Sequence, residues 1–210
     1  MGGPTRFGEP RESGDRPFET RVTGMRAMQF SLCVLVLLTA CASGLRIVAG
    51  CRIESGADCR RMQLRNHDLT GVDLSEAILV NGYIEKADLT GADLTGADLT
   101  GAQLVETVLL GADLTGADLT GANLTGANLT GANLTGANLG HAVLVDAVLV
   151  DAILIDAGLG YANLIGANLT GANLSPAYAA YANFTGTNLS DASISGLVLT
   201  GALLDPVVGG

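Results

Sequence analysis

The sequence predicts an all-β solenoid, a rod of short stacked coils, and three observations predict it. From Leu64 to Leu204 an apolar residue recurs at every fifth position without a slip. Of these 29 centres 25 are Leu, the others being Ile84, Ala179, Phe184 and Ile194. Two residues before the centre stands Ala in 22 of the 29 cases. Between successive centres the pair Thr-Gly recurs, most regularly from Ala112 to Leu139. A period of five matches neither the helix, at about 3.6, nor the two-residue alternation of a strand. A Gly in most repeats would also cost a helix about 1 kcal/mol each relative to Ala. What fits is a chain that turns a corner once per repeat, with Gly supplying backbone at positive φ. Leu and Ala then point inward, and Asp or Asn, Thr and Gly point outward.

The unit read from ADLTGADLTGANLTGANLTGANLTGANL resembles the A-(D/N)-L-x-x motif of the pentapeptide-repeat family, and the resemblance spans Leu64 to Leu204. It implies a right-handed quadrilateral parallel β-helix, four pentapeptides to a coil, so that residues twenty apart stack. Centres 69 to 204 then make 28 repeats, or about seven coils. At about 4.8 Å per layer the rod is roughly 34 Å long. Burying each Leu contributes about 1.5–3 kcal/mol, so the Leu columns dominate stability. Each coil touches only its neighbours, and the ends need caps. Ala179 leaves room in the core that the oversized Phe184 at the next centre compensates.

Ahead of the rod the chain changes character. The net charge is −10 overall, yet residues 1–63 hold nine Arg against six acids, whereas 64–204 hold fourteen acids against Arg65 and Lys86. Residues 1–24 are rich in Gly, Pro and charge and read as a disordered or spurious extension. From Met25 the text MRAMQFSLCVLVLLTAC has a short basic start, an apolar run and small residues, the anatomy of a signal peptide over 25–40. Its ending, Leu38-Thr39-Ala40-Cys41, resembles a bacterial lipobox, which implies that Cys41 is acylated and becomes the mature N-terminus. Met1, Met25 and Met28 remain open as starts. An uncleaved signal anchor in the inner membrane is the alternative, because Ala27 to Gly44 nearly spans a bilayer; a plain cleaved signal is another.

Residues 41–63 are expected to hold the lipidated Cys, a linker and the N-terminal cap. Cys51 and Cys59 form an even pair in an exported chain and read as a disulfide just ahead of the first coil. Free thiols are the alternative. With only His67 nearby the pair does not supply four zinc ligands, and neither a metal nor a cofactor is expected elsewhere.

Residues 64–204 constitute the β-helix and 205–210 a C-terminal tail. On one face the residue before the centre runs Asp73, Asp93, Asp113, Asn133, Ile153; on the next it includes Asp98 and Asp118. These acidic ladders place carboxylates about 5 Å apart. They read as solvated repeat residues that keep the rod soluble, or as a cation or phosphate-mimicking track. No calcium-binding loop accompanies them. Val143, Val145, Val148, Val150, Ile153 and Ile155 flank three successive centres and make an apolar band, a pattern of interaction surfaces, though β-branched residues also favour extended chain. Asp146, Asp151 and Asp156 take the corners beside it. His141, Tyr161 and Tyr181 are each twenty apart and should stack as an aromatic ladder, with a planar or sugar ligand as the sharper reading. The last coil is apolar inside and partly outside, and family resemblance implies a homodimer through that end.

Catalysis is not expected. The chain has two His, no nucleophile elbow and no phosphate-binding loop, and a convex rod offers no water-excluding pocket. The first functional reading is a lipid-anchored scaffold of the cell envelope, periplasmic or outer-membrane, binding an unknown protein partner and no nucleic acid directly. The second applies if the chain is cytoplasmic. Quinolone-resistance members of the family are acidic rods resembling duplex DNA that bind type II topoisomerase, and this rod is similar in kind. The third is cation or carbohydrate binding on the outer faces.

Overall fold

The computed structural model describes residues 46–205. The expected extension at 1–24, the signal segment at 25–40, lipidation at Cys41 and the tail beyond Asp205 lie outside the described residues.

The described chain opens with a hairpin. Strand β1 (Arg46–Val48) pairs antiparallel with strand β2 (Cys51–Ile53), Val48 opposite Cys51. Its two turn residues, Ala49 and Gly50, have φ of 50° and 86°, the double left-handed turn that matches strand twist. Cys51 is joined to Cys59 by a disulfide, their Cα atoms 5.3 Å apart. Both cysteines and Ile53 are buried in the same apolar core as Leu64 and Leu69. The hairpin therefore closes the N-terminal end of the leucine columns.

Beyond the hairpin, each isolated bridge is parallel and joins residues twenty apart, from Asp58–Ile78 to Asn183–Leu203. Four five-residue repeats thus complete one coil and return the chain to the same column. The register reaches one repeat earlier than Leu64: the Cys59 N–H donates to the Ile78 carbonyl at 2.8 Å, as Leu79 does to Asp98 at 2.7 Å. On each side the coils are tied by a pair of bonds such as Leu94 N–H to the Asp113 carbonyl (2.7 Å) and Asp113 N–H to the Ala92 carbonyl (3.0 Å). The next corner follows at once, so no side grows into a continuous strand. For that reason β1 and β2 are the only multi-residue strands among the described residues.

The corner is a four-residue turn. Ala97 N–H donates back to the Leu94 carbonyl at 3.0 Å, and Gly96 between them has φ of 65°. Asp146, Asp151 and Asp156 hold the same left-handed conformation, φ 54° to 58°, which a short polar side chain tolerates better than most.

Leu and Ala fill the interior. The centres from Leu64 to Phe184 are buried, Ala179 included, as are nearly all residues two before them. Thr107 stands at an Ala position and is fully buried; its hydroxyl donates to the Ile84 carbonyl at 2.9 Å. Among the described residues no buried side-chain polar atom lacks a partner. The last coil differs from the uniform inward pattern: Ile194 is 51% and Leu204 50% exposed. No further coil stacks on them among the described residues, and a centre is fully shielded only when a coil or a cap such as the hairpin lies on both sides of it.

Candidate interaction surfaces

Asp73, Asp93 and Asp113 form one column of bridges, and Asp98 and Asp118 belong to the next. Their side chains have local partners. Asp113 Oδ1 accepts from the Thr115 backbone N–H at 2.9 Å and from its hydroxyl at 2.5 Å; Asp118 does the same with Thr120 at 2.9 and 2.6 Å. Asp93 and Asp98 accept from the N–H of Thr95 and Thr100, each at 3.0 Å. The Ser75 hydroxyl and then its N–H hold the Asp73 carboxyl below the ordinary aspartate value. Asn123, Asn128 and Asn133 make the same pair of bonds to the Thr two residues on. What the position favours is a short side-chain acceptor, which Asp and Asn share. The sequence signal for this is the Asp/Asn-x-Thr spacing, which the reading by charge passes over. Among the described residues no three His, Cys, Asp or Glu side chains come together to hold a metal ion.

Val143, Val148 and Ile153 occupy three successive sides, each bridged to an Asn in the coil before and the coil after. With Val145, Val150 and Ile155 they lie half-buried on the outside of the rod, Ile153 being exposed. Apolar residues here cannot supply the acceptor that Asp and Asn give the backbone, so the band forgoes those turn bonds.

His141, Tyr161 and Tyr181 stack along one corner. Ring centroids are 5.0 Å apart at both steps, with planes inclined by 4° and 13°. Their backbones all sit in the left-handed region, φ 58° to 60°, which points each ring outward at the height of its own coil. Tyr161 and Tyr181 are more than half exposed. The faces of Tyr161 are covered by its neighbours, so ring edges and hydroxyls face solvent.

A further cluster is absent from the sequence reading. Arg65 pairs with Glu85 twenty residues on, Nε to Oε2 at 2.8 Å and Nη2 to Oε1 at 2.9 Å, and donates through Nη1 to Gln63 at 2.9 Å. Its guanidinium also lies over Tyr83, 4.6 Å from the ring centroid. The Arg65 hydrogen bond pulls the Glu85 carboxyl below its ordinary value and raises Arg65 further. These positions depart from the repeat consensus, a signal that emerges only when residues are read by column.

Among the described residues no helix is long and apolar enough to cross a membrane. The family model for pentapeptide repeats matches eight copies, over residues 55–91, 92–131, 132–171 and 167–205. No curated protein matches the chain. Among solved structures, the chain is similar to HetL, a pentapeptide repeat protein involved in heterocyst differentiation regulation from the cyanobacterium Nostoc sp. strain PCC 7120. Identity is 31%, over 80% of this chain and 92% of that one, with a TM-score of 0.26. It is similar to a pentapeptide repeat protein of the Arabidopsis thaliana thylakoid lumen at 32% identity, over 52% of this chain and 66% of that one, TM-score 0.28. It is also similar to QnrB1, a plasmid-mediated fluoroquinolone resistance protein, at 21% identity over 70% of this chain and 90% of that one, TM-score 0.31.

Proposed function

The chain belongs to the pentapeptide repeat family, and on that premise we propose that it is a non-enzymatic, envelope-anchored rod of about seven right-handed coils that presents a protein-binding surface. The observation that carries this reading is the apolar band. Six β-branched side chains, from Val143 to Ile155, stand outward on three successive sides, the longest run of apolar residues at positions that most repeats fill with polar ones. A partner that buries them recovers apolar area the fold leaves in water. Tethering is supported by the signal-like run from Met25 and by the lipobox-like ending at Cys41. The exposed Ile194, Val198, Leu203 and Leu204 of the last coil support a homodimer through that end, and a monomer mass by light scattering would remove it.

Fractionation of cells carrying the wild type and a Cys41→Ser variant, with labelled fatty acid, tests the anchor. The expected result is label in the membrane fraction for the wild type and none for the variant. Unlabelled, soluble cytoplasmic protein would overturn the envelope reading. The rival then takes its place: an acidic rod imitating duplex DNA for a type II topoisomerase, supported by the stacked Asp columns of the N-terminal half. Inhibition of supercoiling by the purified chain is the measurement for that outcome.

A further inference from the structure

The repeat is regular enough that its departures carry information, and one side of the first coils collects them. Gln63, Tyr83 and Gln103 stand where the repeat has Asp or Asn, Arg65 and Glu85 where it has Thr, and Asn81 where it has Gly. Gln and Tyr are too long for the turn bond that Asp makes to Thr, and Asn81 carries a left-handed φ of 53° that Gly would hold without strain. These choices give up the local turn bond and gain contacts between coils, the Arg65–Glu85 pair first among them. The bridges Gln63–Tyr83 and Tyr83–Gln103 bring them into register, although the sequence spreads them over forty residues. Arg65, Asn81, Tyr83, Glu85, Gly101 and Gln103 together line a recess of about 350 Å³.

We propose that this recess binds a neutral sugar ring. Its volume falls near the small end of ligand sites, which run from about 300 to 1,000 Å³. Charge points to a neutral occupant: the lining carries one cation and one anion, Arg65 and Glu85, and they are already paired. Hydrogen-bonding capacity points to hydroxyls. Arg65 directs N–H groups to Glu85 and Gln63 and keeps others free, since a guanidinium has about five. The Glu85 carboxylate retains acceptor sites, and the Asn81 amide offers a donor and an acceptor. Gln103 already donates to the Gly101 carbonyl at 3.3 Å and accepts from Asn123 at 3.4 Å, and keeps one further N–H and one further lone pair. A sugar hydroxyl both donates and accepts, so it needs such a mixed lining. Tyr83 adds an apolar surface for the C–H face of the ring. Arg65 covers one of its faces, and the recess extends from it toward Gly101 and Gln103 in the following coil. Gly101 leaves the room that the Asn81 side chain occupies: a Cβ there would meet the Asn81 Oδ1.

The test uses the full chain in solution, and its result is independent of any membrane anchor. Saturation-transfer NMR is recorded with glucose, galactose, mannose and N-acetylglucosamine in turn. Two double variants put back the repeat's own residues and so keep the fold: Arg65→Thr with Glu85→Thr, and Tyr83→Asn with Gln103→Asn. The expected result is transfer to the ring protons of at least one sugar, lost in both double variants and retained in Tyr161→Ala. Three results would overturn the proposal: no transfer to any of the four sugars, transfer that survives the restoring variants, or loss of transfer only in Tyr161→Ala. Displacement of the sugar by inorganic phosphate would do so as well, because it would mark an anion site.

Discussion

Asn133 donates its side-chain amide to the hydroxyl of Thr115 in the preceding coil, 2.8 Å away, while its own oxygen accepts from the Thr135 hydroxyl at 2.7 Å. An Asp in the same place keeps the second bond and loses the first. Asn138 repeats the inter-coil bond with Thr120 at 2.8 Å, a bond that the ionised Asp side chains of the first coils cannot donate.

Asn133→Asp should therefore destabilise the rod by about 1 kcal/mol, the net value of one hydrogen bond. The new carboxylate also lies next to Asp113 in the column, so part of the loss should return at high salt, where exposed charges are screened. Urea unfolding at low and high ionic strength measures both parts. Equal stability of the two proteins at low salt would show that the inter-coil bond contributes nothing.

Gly116 has φ of 65° and nothing within 4 Å of where its Cβ would sit. Gly116→Ala thus isolates backbone strain from crowding, and should cost about 1–2 kcal/mol. The reverse change, Asp151→Gly at φ 55°, should gain stability or leave it unchanged. Thermal unfolding of both variants checks the sign of each.

Leu134 is fully buried between coils, whereas Leu204 is 50% exposed in the last described coil. Leu134→Ala should cost about 2–5 kcal/mol through lost burial and the cavity left behind. In a monomer Leu204→Ala should cost well under half of that. If the two losses came out alike, the last coil would be covered in solution, which is what a dimer through that end requires.

The Ser75 hydroxyl and N–H hold Asp73 ionised to lower pH than usual. A depressed folded-state value means that the contribution to stability is complete above the ordinary aspartate value and disappears as pH falls through the depressed one. Ser75→Ala removes the larger of the two causes, so the Asp73 titration should move up toward the ordinary value. Carboxyl NMR against pH follows it directly, and an unmoved midpoint would rule out the hydroxyl as the cause.

The architecture was legible in the text because its period is short and unbroken. Leu at every fifth place, with Thr-Gly between, demands a corner per repeat. The family motif then implied twenty residues per coil, the register that the bridges show. Given that register, columns such as Asp73–Asp93–Asp113 and His141–Tyr161–Tyr181 followed by counting. Counting could not show where a side chain leans once it is in its column. Asp113 turns onto Thr115 rather than standing free, because a carboxylate next to an unsatisfied N–H and a hydroxyl finds its partners locally. Cys59 escaped the count because it is not Leu, though its burial and backbone bonds make it a centre.

The recess at Tyr83 lay furthest from view. Its residues are unremarkable one by one, and only the closing of successive coils sets Arg65 against Glu85 and Gly101 beside Asn81. Periodicity specifies backbone positions, because every repeat solves the same corner and core problem. Side-chain meetings across coils depend on length, charge and the space a neighbour leaves, and those are properties of the stacked rod rather than of any single repeat.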